Sequence, residues 1–163
     1  MWLSKRKFLL GALVLGLGAC GFTPVYGPQG TGNRLLGRIA LEAPKTPNDY
    51  AFNARFEERM GRASSGPYLL SVKKTVDQQD LGSTSTGNTT RYRLLGRASY
   101  SLTDAGTKAV LIEGQTDGFT GYSTTGSTVA TLAAERAAEQ RLMVILADQV
   151  IDKLILQATD LPE

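Results

Sequence analysis

Histidine is absent from this 163-residue chain, and cysteine occurs once, at Cys20. The first absence removes the commonest general base and the commonest metal ligand. A lone cysteine cannot close an intrachain disulfide, even in a compartment that would allow one. With no second thiolate and no imidazole, a transition-metal site has no soft donor set, and the sequence implies no cofactor. Surplus charge is also scarcer than the formal +3 suggests, because Lys5, Arg6 and Lys7 are the only charged residues in the first nineteen. Taking those three from the eighteen basic residues leaves fifteen, against fifteen acidic ones. The rest of the chain is formally neutral, so the high isoelectric point does not point to nucleic acid, which calls for a basic patch on the folded part.

The apolar run from Phe8 to Leu17 is shorter than the roughly 20 residues that span a bilayer. It follows the three basic residues and ends in Leu17, Gly18, Ala19 and Cys20. Basic segment, short apolar segment and small-residue cleavage site make a secretory signal, and Leu-Gly-Ala-Cys is a lipobox that predicts lipidation of Cys20. A short membrane anchor, or an ordinary signal with an incidental cysteine, is the plainer alternative. The expected organisation is a signal peptide over 1–19, a lipidated tether over 20–37 rich in Gly, Pro, Thr and Asn, and one domain over 38–163.

Beyond the tether, Arg38 to Glu42 alternates as a short half-buried strand does. Asn48 or Asp49 is placed to cap a helix on which Phe52, Phe56 and Met60 share one face. Gly61 and the Ser64–Pro67 stretch stop it. Tyr68 to Val76 and Tyr92 to Leu102 alternate as one-face-buried strands, with Lys74 interrupting the apolar side of the first. The polar stretch from Asp77 to Thr90 reads as a long loop, mobile by itself. Asp104, Ala105 and Gly106 signal a hairpin leading to a strand from Ala109 to about Phe119, in which Gly114 marks a bulge or a close approach. After a linker over 121–126, Ser127 or Thr128 caps a helix running to about Ala158. Val129, Leu132, Met143, Leu146, Val150 and Leu154 keep its period, and Ala133, Ala137 and Ala147 suit close approach to a sheet. Its length of about 45 Å exceeds a strand, so an end projects or bends. The order β-α-β-β-β-α predicts an α+β two-layer sandwich, with two helices packed on one face of a four-stranded, mostly antiparallel sheet.

No catalytic constellation emerges, and the chain does not read as an enzyme. Gly82 to Gly87 has the glycine spacing of a phosphate loop, but Asn88, followed by Thr89, stands where the lysine belongs, and no helix starts there. Asp77 and Asp80 read as solvated charges. Ser123 lacks the flanking glycines and the histidine of a nucleophile elbow. What stands out is basic: Arg91, Arg93 and Arg97 lie on the solvent side of one strand, and Lys73 joins them from its neighbour. Guanidinium groups bind phosphate bidentately, so this face suits a phosphorylated glycolipid. The alternative is a solubilising face paired with Glu113 or Asp117.

Cys20-Gly-Phe-Thr-Pro-Val-Tyr-Gly27, Ile39-Ala-Leu-Glu-Ala-Pro44, Asp49-Tyr-Ala-Phe52, Tyr122-Ser-Thr-Thr-Gly-Ser-Thr-Val-Ala130, Ala134-Glu-Arg136 and Leu146-Ala-Asp-Gln149 stand in this order along the chain. Together they resemble the alphaproteobacterial form of the LPS-assembly lipoprotein family LptE. The stretch from Asp77 to Thr90 does not align. The resemblance implies a lipoprotein held on the periplasmic side of the outer membrane by acyl chains, palmitate among them. It implies that the protein plugs the LptD β-barrel, assists its assembly and binds lipopolysaccharide. In similar lipoproteins an aspartate after the lipidated cysteine retains the protein at the inner membrane, so Gly21 favours the outer one. Basic residues on the sheet side contact lipopolysaccharide in this family, which makes Arg91 and Arg93 the candidates by position. A free-standing periplasmic lipoprotein that binds a small ligand or peptidoglycan is the alternative.

Overall fold

A computed structural model describes residues 27, 30–83, 89–124, 126–158 and 161. Cys20 and the signal segment lie outside the described residues. The elements are β1 (Ile39–Leu41), α1 (Pro47–Met60), β2 (Tyr68–Ser83), β3 (Thr89–Asp104), β4 (Val110–Ser123) and α2 (Thr128–Gln157), preceded by a short 3-10 turn at Thr31–Arg34. The sheet runs β1-β2-β3-β4. β1 pairs with β2 in parallel, and the other two pairings are antiparallel. A parallel neighbour needs a crossover, and α1 is that crossover.

Both helices cover one face. α1 presents Phe52, Phe56 and Met60 to the core, and α2 presents Leu142, Met143, Leu146, Val150 and Leu154. They meet the inward residues of the strands, among them Tyr68, Leu70, Leu94, Ala98, Tyr100, Leu102 and Ile112. Leu35, inside the segment read as tether, is also fully buried, so packing begins ahead of residue 38.

The helix starts follow from local chemistry. α1 is capped by Thr46, not by Asn48 or Asp49. Asp49 N–H donates to Thr46 Oγ1 at 3.1 Å, and Thr46 N–H donates back to Asp49 Oδ2 at 2.9 Å. This reciprocal pair satisfies two orphan donors, with Pro47 beginning the helix, where its missing N–H costs nothing. α2 is capped by Ser127, whose Oγ accepts from Ala130 N–H at 3.3 Å.

Two expectations about the strands change, and a third is decided between its alternatives. The polar stretch after Val76 is not a loop up to residue 83: Asp77 to Asp80 continue the ladder opposite Leu95 to Tyr92, with irregularities around Gly82. Ladder hydrogen bonds are made by the backbone, so a polar segment extends a strand when a partner lies alongside. β4 likewise runs to Ser123, taking in residues assigned to a linker. Gly114 marks close approach: a Cβ there would lie 2.5 Å from the Tyr100 hydroxyl oxygen.

The close approach of α2 to the sheet is made by other residues than Ala133 and Ala137, which are exposed. Gly96 and Gly118 face each other across β3 and β4. A Cβ on Gly96 would lie 2.9 Å from the Leu142 side chain, and one on Gly118 would lie 3.0 Å from Ile145. Ala138 and Ala147 are the buried alanines of the helix. Its buried run begins only at Ala138, and Val129 and Leu132 are 78% and 46% exposed. The N-terminal end of the helix therefore projects.

Lys74 points to the covered side of the sheet, where its Nζ lies 2.9 Å from Asp49 Oδ1 and 4.8 Å from the centre of the Phe52 ring. An otherwise costly buried charge is thus paired. That contact, led by the Lys74 hydrogen bond, holds the Asp49 carboxyl well below its ordinary value. A second clamp joins the helices. Arg55 Nε lies 2.8 Å from Asp148 Oδ1, which also takes Arg59 Nη1 at 3.1 Å, and Arg59 Nη2 reaches Asp152 at 2.9 Å. Burial raises the Asp148 carboxyl, the two guanidiniums lower it more, and the net shift is downward.

Candidate functional site

With both helices on one side, the other face of the sheet is left uncovered by any described element. Strand alternation decides what it displays. On β3 the inward residues are Tyr92, Leu94, Gly96, Ala98, Tyr100 and Leu102, so Arg91, Arg93, Leu95, Arg97 and Ser99 point outward. Pairing places their neighbours in rows. Arg91 stands between Gly82 and Ser123, Arg93 between Gln79 and Gly121, and Leu95 between Asp77 and Phe119. Arg97 stands between Thr75 and Asp117, and Ser99 between Lys73 and Gln115. Successive rows are about 7 Å apart.

All four basic residues singled out from the sequence, Lys73, Arg91, Arg93 and Arg97, therefore share this helix-free face. They do not form one patch. Arg97 is opposite Asp117, and Glu113 lies one row beyond Lys73. The rows of Arg91 and Arg93 contain no carboxylate. Among the described residues none of the four basic side chains forms a salt bridge. The face is thus cationic at the end where β2 and β3 join and balanced further along.

Sequence reasoning missed Phe119 as a surface feature. Its side chain is 65% exposed, and the Arg93 guanidinium sits 5.2 Å from its ring centre, within cation–π range. A groove of about 290 Å³ runs beside it, lined by Asp77, Leu95, Gly96, Arg97, Asp117, Gly118 and Phe119. The signal was present: with Thr116 and Gly118 inward, the residue after Gly118 must face out.

The motifs set aside from the sequence stay set aside. Gly82 lies in β2, and the rest of the glycine-spaced stretch is largely outside the described residues. Ser123 ends β4, exposed. Among the described residues no three His, Cys, Asp or Glu side chains gather as a metal site would require. No described helix is long and apolar enough to cross a membrane.

Fold and face together define a two-layer α+β domain with an open, partly cationic sheet surface. The same fold occurs in a candidate lipoprotein from Caulobacter crescentus CB15, with TM-score 0.64 and 20% identity over 78% of this chain and 96% of that one. It occurs also in the rare lipoprotein B of Shewanella oneidensis (TM-score 0.58, 11% identity, 76% and 96% covered). A minor lipoprotein of Acinetobacter baumannii is similar too (TM-score 0.55, 20% identity, 77% and 94% covered). No curated protein matches the chain by sequence. The model of the lipopolysaccharide-assembly family LptE matches residues 36–154. The chain belongs to that family.

Proposed function

We propose that this protein is the outer-membrane lipoprotein subunit of the lipopolysaccharide translocon. In this reading the chain is cleaved before Cys20 and anchored by acyl chains on the periplasmic side. It plugs the LptD barrel, assists its assembly, and binds lipopolysaccharide for insertion at the cell surface. It has no catalytic role. The observation that carries the reading is the bare sheet face of a lipopolysaccharide-assembly family member, with Arg91 and Arg93 free of carboxylates in their rows. Paired guanidiniums suit phosphate oxygens, and Lys73 and Arg97 share the face further along, where Asp117 and Glu113 balance them. A neutral, polar-surfaced body suits a water-lined lumen. Multiple acyl chains make an anchor effectively permanent and raise the local concentration at the barrel.

Three measurements test this. Mass spectrometry of native material should show an acylated Cys20 at the amino terminus; an unmodified or uncleaved chain would remove the anchoring. Detergent extracts should yield the protein together with a large barrel, whereas recovery as a monomer alone would favour a free-standing lipoprotein that binds a small ligand or peptidoglycan. Charge reversal at Arg91 and Arg93 should weaken lipopolysaccharide binding while the fold stays intact.

A further inference from the structure

We propose that Leu95 and Phe119 form an acyl-contacting row, so that the bare sheet face binds a phosphorylated amphiphile in one orientation, phosphate at Arg91 and Arg93 and chain against the apolar row. This rests on the reading that the face meets lipopolysaccharide, and adds which part of the lipid lies where. The rows run in a fixed sequence: Arg91, then Arg93, then Leu95 with Phe119, then Arg97 opposite Asp117. An anion gains most where no carboxylate competes, at the first two rows. About 7 Å further along the strands the surface turns apolar. Arg93 joins the two zones, because its guanidinium packs on the Phe119 ring. One ring face is thereby held in place while much of the side chain stays in water.

The groove beside this row supplies room. Gly96 and Gly118, side by side, put backbone at its floor, and Leu95 and Phe119 form its apolar flank. Asp77 stands at the β2 end of the row, so apolar contact is confined to β3 and β4 and the chain is directed toward the β4 edge. Free phosphate would use only the arginines. An uncharged acyl chain would forgo them. A molecule carrying both groups matches the whole sequence of rows.

The experiment uses the purified full chain in neutral detergent and three probes: acylated lipid A bisphosphate, its fully de-acylated bisphosphorylated disaccharide, and inorganic phosphate. Phe119→Ser should weaken lipid A binding about tenfold, the factor that covering part of an aromatic side chain supplies. It should leave disaccharide binding unchanged, and Phe119→Leu should keep most of the lipid A affinity. Arg91→Glu with Arg93→Glu should weaken both. If Phe119→Ser weakens both probes alike, or neither, while the arginine pair still matters, the acyl row is wrong and the phosphate reading stands. If the arginine pair changes nothing either, both readings fall. Inorganic phosphate binding as tightly as lipid A would also overturn the acyl row. Because Phe119 is exposed, unchanged thermal unfolding is the control that its variants remain folded.

Discussion

One sheet carries two unlike faces. The covered face buries Leu70, Leu94, Ala98 and Leu102 against two helices; the bare face displays arginine, serine, aspartate and one aromatic on the same strands. Stability is therefore concentrated on one side, and chemistry that can vary without unfolding the protein lies on the other. Even the charges obey this division. Lys74, on the covered side, is locked to Asp49 with only 10% of its side chain exposed, whereas Lys73, one residue earlier, is exposed on the bare face.

The strongest break of this comparison is Phe56→Ala. Removing a fully buried ring should cost about 3–5 kcal/mol, read as a fall in the urea midpoint. Next is Lys74→Met, which strands Asp49 near the core and should cost about 2 kcal/mol. It also has a pH signature. The folded-state pKa of Asp49 is depressed, so its contribution is present above the ordinary carboxylate value near 4 and is lost as pH falls below it. The wild type should lose stability through that range, and Lys74→Met should show a shallower acid slope in midpoints taken at successive pH values. Asp148→Ala, which leaves Arg55 and Arg59 without their shared partner, should cost about 1 kcal/mol. Smallest is Arg91→Glu with Arg93→Glu on the bare face, expected to move stability by less than about 0.5 kcal/mol. A large loss there would mean that the two faces are not energetically separate.

Much of this division was legible beforehand. Alternation in Tyr92 to Leu102 placed the three arginines outward without any coordinates, because side chains on a strand must take opposite faces. The spacing of Phe52, Phe56 and Met60 did the same for α1. Legibility failed where structure depends on a distant partner. The segment after Val76 lacks apolar alternation, yet β3 extends it by backbone pairing. Val129 and Leu132 keep the helical period of α2, yet nothing described covers them. Thr46 was overlooked as a cap because three polar residues, Thr46, Asn48 and Asp49, compete for that position and only the backbone geometry selects among them.

By itself the sequence determined the inventory and its local rhythm. It dictated a single cysteine, a formally neutral stretch beyond residue 19 without imidazole, and the order and inward sides of its strands and helices. These follow from composition and from periods set within a few residues. Tertiary structure alone decided that the polar segment after Val76 would extend β2, that Lys74 would meet Asp49, and that Phe119 would lie under Arg93. Those outcomes depend on docking and on register between strands, and no local period encodes them.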